Sequence, residues 1–252
     1  MSQQIPGYDP RESLRKGVYI LPNLFTTGCL FAGFYGIVST MGGQYLTAAW
    51  FILIAAIFDG LDGKVARLTG TTSKFGVEYD SLADLVAFGV SPGLLMFAWA
   101  LKPFGKLGWL AAFLYVVCCA LRLARFNVQV ATVESKRFVG LPTPAAAGMV
   151  SSCILIFYEL GGSGTIKKIS VLVLIYVLAM LMVSNFRYYS FKDPEIFKRQ
   201  PFWVLVILIF LIIVIVAKPE ISLFCLAFAY MLSGPIGYLY SFSKRPRRGN
   251  PH

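Results

Sequence analysis

The sequence predicts an all-α polytopic membrane protein, and three observations carry that prediction. The chain of 252 residues is 57% hydrophobic with a mean hydropathy of +0.70. Only 14% of its residues are charged, where a soluble domain carries about a quarter. Its apolar residues fall into runs long enough to cross a bilayer, which takes about 20 residues in a helix.

Eight spans are expected, at about 19–39, 45–66, 78–100, 107–129, 141–160, 168–186, 201–217 and 220–241. Their breaks are Met41-Gly42-Gly43, the Thr/Ser-rich stretch Thr69–Ser73, Lys102-Pro103, Gly161–Gly164 and Pro194–Pro201. Glycine and proline punctuate helices, and hydroxyl residues favour turns. Lys218-Pro219-Glu220 joins the last two spans as a tight hairpin. The first 17 residues are polar and include Arg11, Arg15 and Lys16. No short apolar stretch with a small-residue cleavage site follows them, so no cleaved signal peptide is expected.

Lysine and arginine set the orientation, because cytoplasmic connections hold the excess of them. The even-numbered connections, both termini and the end of span four hold 18 of the 23 basic residues. The other five are Lys102, Lys106, Lys167, Lys168 and Lys218. Both termini are therefore expected in the cytoplasm, in an inner or cytoplasmic membrane. The net charge of +11 reads as this asymmetry plus attraction to anionic lipid. The tail KRPRR at 244–248 needs no nucleic acid to explain it, and none is expected as a partner. The five cysteines all lie in apolar segments without paired spacing, as buried small hydrophobes do. The one histidine is His252, so no histidine base is available inside the spans.

Four of the six aspartates, Asp59, Asp62, Asp80 and Asp84, fall within 26 residues. Asp59 and Asp62 are three apart and Asp80 and Asp84 four apart, so each pair shares a helix face. Gly63 and Ala66 continue the first face with small side chains that leave room for a ligand. A short connection makes the two helices antiparallel and brings the pairs together near the cytoplasmic end. Each charge in a membrane helix costs at least about 2.5 kcal/mol, and four carboxylates repel one another. Such a cluster calls for cations, and oxygen ligands without histidine or cysteine point to Mg²⁺ or Mn²⁺. A divalent-cation transporter could use such a site; so could an enzyme acting on a diphosphate.

The spacing Asp59-x2-Asp62-Gly63-x2-Ala66-Arg67-x8-Gly76-x3-Asp80-x3-Asp84 resembles, at every fixed position, the signature of the CDP-alcohol phosphotransferase family. The resemblance implies a six-helix core, here with two extra C-terminal transmembrane helices, two divalent ions and a homodimer. It implies that Asp59, Asp62, Asp80 and Asp84 bind metal. It places Asp59, Asp62, Gly63, Ala66, Arg67 and Gly76 at the nucleotide and diphosphate, and makes Asp84 the general base as well. The chain would then divide into a cytoplasmic segment 1–17, a catalytic core 18–192, a helical hairpin 193–241 and a basic tail 242–252.

The stretches "RKGVYILPNLFTTGCLFAGFYGIV", "FGVEYDSLADLVAFGVSPG", "CALRLARFNVQ", "FVGLPTPAAAG" and "MVSNFRYYSFK" resemble the serine-transferring, membrane-integral branch of that family. This implies CDP-diacylglycerol and L-serine as substrates, with phosphatidylserine and CMP as products. Arg122 and Arg125 could pair the serine carboxylate, and Asn127 could take either charged group. Arginines would equally suit glycerol 3-phosphate or inositol phosphate, so the pocket leaves the acceptor open. No Ser, Cys or His stands out as a covalent nucleophile, and direct displacement is expected.

Overall fold

The computed structural model describes residues 10–70, 73–130, 138–166, 168–188, 209, 213 and 215–243. Within them the chain is helical apart from short connections and one two-residue ribbon. Helix α1 is Pro10–Met41 and α2 is Tyr45–Thr69. A continuous helical rod, α3, runs over Lys74–Phe104, and α4 over Lys106–Val130. After strand β1 (Phe138–Val139) come α5 (Thr143–Glu159) and α6 (Ile169–Val183). Strand β2 (Arg187–Tyr188) precedes α7 (Pro219–Ser243).

Five helical stretches are long and apolar enough to cross a membrane: Leu21–Met41, Tyr45–Thr69, Lys74–Phe104, Lys106–Val128 and Pro219–Tyr240. Spans expected at 141–160 and 168–186 form shorter apolar helices of 17 and 15 residues, about 26 and 22 Å long. The ribbon lies just outside both expected spans, and the extended backbone at Pro142 and Ser184 beside it trims their ends. Phe138 pairs with Tyr188 and Val139 with Arg187, antiparallel. Gly140 then turns the chain into α5 at φ +83°, with its amide on the Phe186 carbonyl at 2.9 Å. A side chain at Gly140 would run into the Met182 carbonyl. The expected span 201–217 lies almost wholly outside the described residues, as do the tail 244–252 and residues 1–9.

Small residues let the helices meet closely, as is usual where lipid supplies no hydrophobic drive between helices. A Cβ on Gly33 of α1 would stand 2.5 Å from the Cα of Ala87 in α3. One on Gly36 would meet Ser91 Oγ at 2.7 Å. α2 lies along α1 and α5, α4 along α6, and α7 along α5. The core is formed by Phe88, Leu95, Met96, Trp99, Tyr115, Ile154 and Leu155, among others.

Of the prolines inside helices, Pro92, Pro103 and Pro235 are compensated in the same way. A proline has no N–H for the carbonyl four residues back. Pro92 leaves the Phe88 carbonyl, which accepts from the buried Tyr115 hydroxyl at 3.1 Å. Pro103 leaves the Trp99 carbonyl, which accepts from the Ile166 amide at 3.0 Å. Pro235 leaves the Met231 carbonyl, which accepts from the Tyr188 hydroxyl at 3.2 Å. In α3 the helix widens to π-turns over Leu85–Val90 and Phe97–Leu101, each just before its proline. Neighbouring groups thus satisfy backbone that hydrocarbon could not.

Candidate active site

α2 ends where Gly70 adopts φ +63° and returns its amide to the Ala66 carbonyl. α3 begins at Ser73, whose hydroxyl accepts the Gly76 amide at 3.0 Å. A glycine stop and a serine N-cap this close together make the connection short. The two acidic faces therefore meet. One carboxylate oxygen each from Asp59, Asp62 and Asp80 lies within 4.8 Å of the others. Asp62 is 5% exposed.

Asp84 is one turn deeper on α3 and is not part of that trio. It is buried, within electrostatic reach of Asp59, Asp80, Asp62 and Arg122. Oδ1 of Asp80 and Oδ1 of Asp84 are buried and, among the described residues, accept no hydrogen bond. Buried carboxylate oxygens without donors, packed against other carboxylates, are costly unless a cation joins them. The donor set is all oxygen, which suits a hard divalent ion. The arrangement fits metal binding.

A cleft of about 190 Å³ opens beside the trio. α2 lines it with Asp62, Gly63, Ala66 and Arg67, and α3 with Gly76 and Asp80. A Cβ built on Gly63 would meet nothing within 4 Å, so the cleft reaches the α2 backbone itself. Arg67 is exposed in the last turn of α2. Of the residues expected at a nucleotide and diphosphate, Asp62, Gly63, Ala66, Arg67 and Gly76 line this one cleft. Asp59 belongs to the carboxylate trio at its edge.

From the sequence, Asn23 and Thr26 stand near the cytoplasmic end of the first span with no role attached; the structure puts them, and Ser73 at the start of α3, in the cleft wall. The buried Thr26 hydroxyl lies 3.0 Å from Asp62 Oδ2. The sequence signal was present: Asn23, Thr26 and Thr27 are a polar cluster inside an apolar helix. Their direction was not.

The three residues expected around an acceptor alcohol separate. Arg122 is 8% exposed, and its Nη1 donates to Thr143 Oγ1 at 3.2 Å where α5 begins. Its Nε has no partner among the described residues. Arg125 is exposed and reaches the Val183 carbonyl at 3.3 Å and Asn185 Oδ1 at 3.4 Å. Those groups close the C-terminal end of α6, where a cation is favoured. Asn127 exchanges hydrogen bonds with Ser81 at 2.9 and 3.2 Å, tying α4 to α3 beside Asp80.

Comparison with known proteins bears on the whole arrangement. The profile of the family described as CDP-alcohol phosphatidyltransferase matches residues 19–184. A Helicobacter pylori protein named CDP-diacylglycerol–serine O-phosphatidyltransferase is 40% identical over 230 residues, 90% of this chain and 94% of its own. A Mycobacterium leprae protein of the same name is 36% identical, over 70% of this chain and 60% of its own. A Methanothermobacter thermautotrophicus protein named archaetidylserine synthase is 36% identical, over 67% of this chain and 69% of its own. The matched region contains the carboxylate trio, the cleft and Arg122, and with it this chain belongs to the CDP-alcohol phosphatidyltransferase family.

Proposed function

We propose that this membrane enzyme transfers the phosphatidyl group of CDP-diacylglycerol to the hydroxyl of L-serine, giving phosphatidylserine and CMP. The observation that carries the proposal is the meeting of Asp59, Asp62 and Asp80 at the edge of a cleft lined by Gly63, Ala66, Arg67 and Gly76. The names of the relatives point to serine as the acceptor.

Asp59, Asp62 and Asp80, with Asp84 as a further ligand, would hold two divalent ions, Mg²⁺ or Mn²⁺. Such ions neutralise diphosphate charge and align attacking and leaving oxygens. The chain's own residues do the rest. The open backbone at Gly63 admits the nucleotide diphosphate, and Arg67 offers its fork of donors to phosphate oxygens. Asp84 accepts the proton of the serine hydroxyl, since no imidazole is present in the spans. The serine oxygen bonds to the phosphorus carrying diacylglycerol, the bond from that phosphorus to the CMP oxygen breaks, and CMP leaves. Arg122 takes the serine carboxylate through donors that Thr143 does not use. Arg125 and Asn127 hold the pocket wall through their bonds to Val183, Asn185 and Ser81.

The enzyme is a homodimer in this reading, with both termini and the cleft on the cytoplasmic side. Residues 18–192 form the catalytic core and 193–241 an added hairpin.

The test is CMP release by detergent-solubilised protein given CDP-diacylglycerol, Mg²⁺ or Mn²⁺, and one acceptor at a time. Release that needs both L-serine and metal, and stops with EDTA, is the expected result. Release with glycerol 3-phosphate or inositol phosphate instead would overturn the acceptor and keep the chemistry. No release with any acceptor, together with divalent-ion flux across sealed vesicles lacking nucleotide lipid, would overturn the enzyme reading.

A further inference from the structure

Thr26 belongs to α1, which contributes no acid to the site, yet its hydroxyl touches one. It is buried, and its Oγ lies 3.0 Å from Asp62 Oδ2 and 3.2 Å from the Pro22 carbonyl. A hydroxyl has one proton to donate, and a carboxylate is the stronger acceptor. Asp62 is itself buried and belongs to the trio within 4.8 Å. Its neighbour Thr27 points elsewhere: it is exposed and meets the Tyr79 hydroxyl at 3.0 Å.

We propose that Thr26 is a positioning residue for the metal centre, its hydroxyl fixing the rotamer of Asp62 so that the other carboxylate oxygen stays free for the ion. The inference rests on the metal reading above. A free carboxylate turns about its terminal torsion, which is broad. A buried donor on one oxygen removes that freedom and leaves the second oxygen in place. Outer partners of this kind are worth about 10- to 100-fold in metal affinity.

The experiment measures Mn²⁺ affinity without lipid substrate, by loss of the free-ion EPR signal, on wild type and single variants in detergent. Thr26→Val keeps the shape and removes the hydroxyl, and should weaken Mn²⁺ binding at least about tenfold. Thr26→Ser restores the hydroxyl and should bind within about threefold of wild type, as should Thr27→Val. Thr26→Ala, set against Thr26→Ser, repeats the contrast should the valine variant fail to elute as a single species. Equal affinity in wild type and the hydroxyl-free variants overturns the role of Thr26 and leaves the metal reading standing. Equal weakening in Thr27→Val also overturns it, by showing a general loosening of α1. Absence of Mn²⁺ binding by the wild-type protein removes both the metal reading and this inference.

Discussion

Asp84 differs from the other three aspartates in its surroundings rather than in its chemistry. Asp59, Asp62 and Asp80 bring oxygens within 4.8 Å of one another, while Asp84 stands a turn deeper; among the described residues its buried Oδ1, like that of Asp80, accepts no hydrogen bond. Asp84→Asn should therefore lower turnover by about 10²- to 10⁴-fold, the usual value of a general base. CDP-diacylglycerol binding should stay within a few-fold; CMP release and calorimetric binding measure the two separately. Turnover like wild type would remove Asp84 from the reaction. The two arginines should also part company. Arg122 is buried with its Nε unpartnered among the described residues, whereas Arg125 is exposed and engaged with the end of α6. A lysine lacks the planar fork, so Arg122→Lys should raise the KM for serine about tenfold or more. Arg125→Lys should leave that KM within about twofold and act on thermal stability instead. Initial rates against serine concentration decide between these outcomes.

The helices are interrupted more than their hydropathy suggests, and three of the interruptions have a specific remedy. Tyr115, the Ile166 amide and Tyr188 supply the donors that Pro92, Pro103 and Pro235 withhold. Tyr115→Phe would leave the Phe88 carbonyl buried without its partner. It should lower stability by about 1–3 kcal/mol, seen as a lower melting temperature of the purified protein. An unchanged melting temperature would show that the carbonyl finds another donor. Close contact between α1 and α3 rests on Gly33, where a Cβ would come 2.5 Å from Ala87 Cα. Gly33→Leu should separate these helices and with them Thr26 and Asp80, abolishing Mn²⁺ binding even where protein still inserts. Metal binding measured on the membrane-inserted variant is the check.

Across the whole molecule, the distribution of basic residues predicts that the cleft faces the cytoplasm. Lys74 begins α3 beside the cleft, and Lys106 begins α4 at the opposite end of the α3 rod; both are exposed. In a cysteine-free background, Lys106→Cys should react with an impermeant maleimide in intact cells, and Lys74→Cys only after permeabilisation. The reverse pattern would invert the topology. α7 is joined to the rest by packing on α5, by the Tyr188 hydroxyl on the Met231 carbonyl and by the Lys218–Glu159 ion pair at 2.7 Å. The pair raises the pKa of Lys218, because Glu159 bonds to its ammonium and adds a favourable charge. It is exposed, so it contributes little to stability; the apolar contact and the buried tyrosine hold α7 in place.

The sequence by itself determined the class of protein, most of its helices and the chemistry of its site. Those properties are local. Twenty apolar residues make a span wherever they are packed, and carboxylates three or four apart share a face by helix geometry alone. The signature from Asp59 to Asp84 lies on two consecutive helices with a short connection, so it could be assembled without knowing the other helices. The tertiary structure decided what depends on how each helix is rotated against its neighbours. It put Asp59, Asp62 and Asp80 together and left Asp84 apart, turned Thr26 onto Asp62, and gave Arg125 to the end of α6. It also shortened two expected spans: the turn through Gly140 and Pro142 delays the start of α5 to Thr143, and extended backbone at Ser184 ends α6 at Val183. Hydropathy registers how greasy a residue is. The direction in which it points follows from close contacts such as Gly33 on Ala87, made between residues more than 50 positions apart.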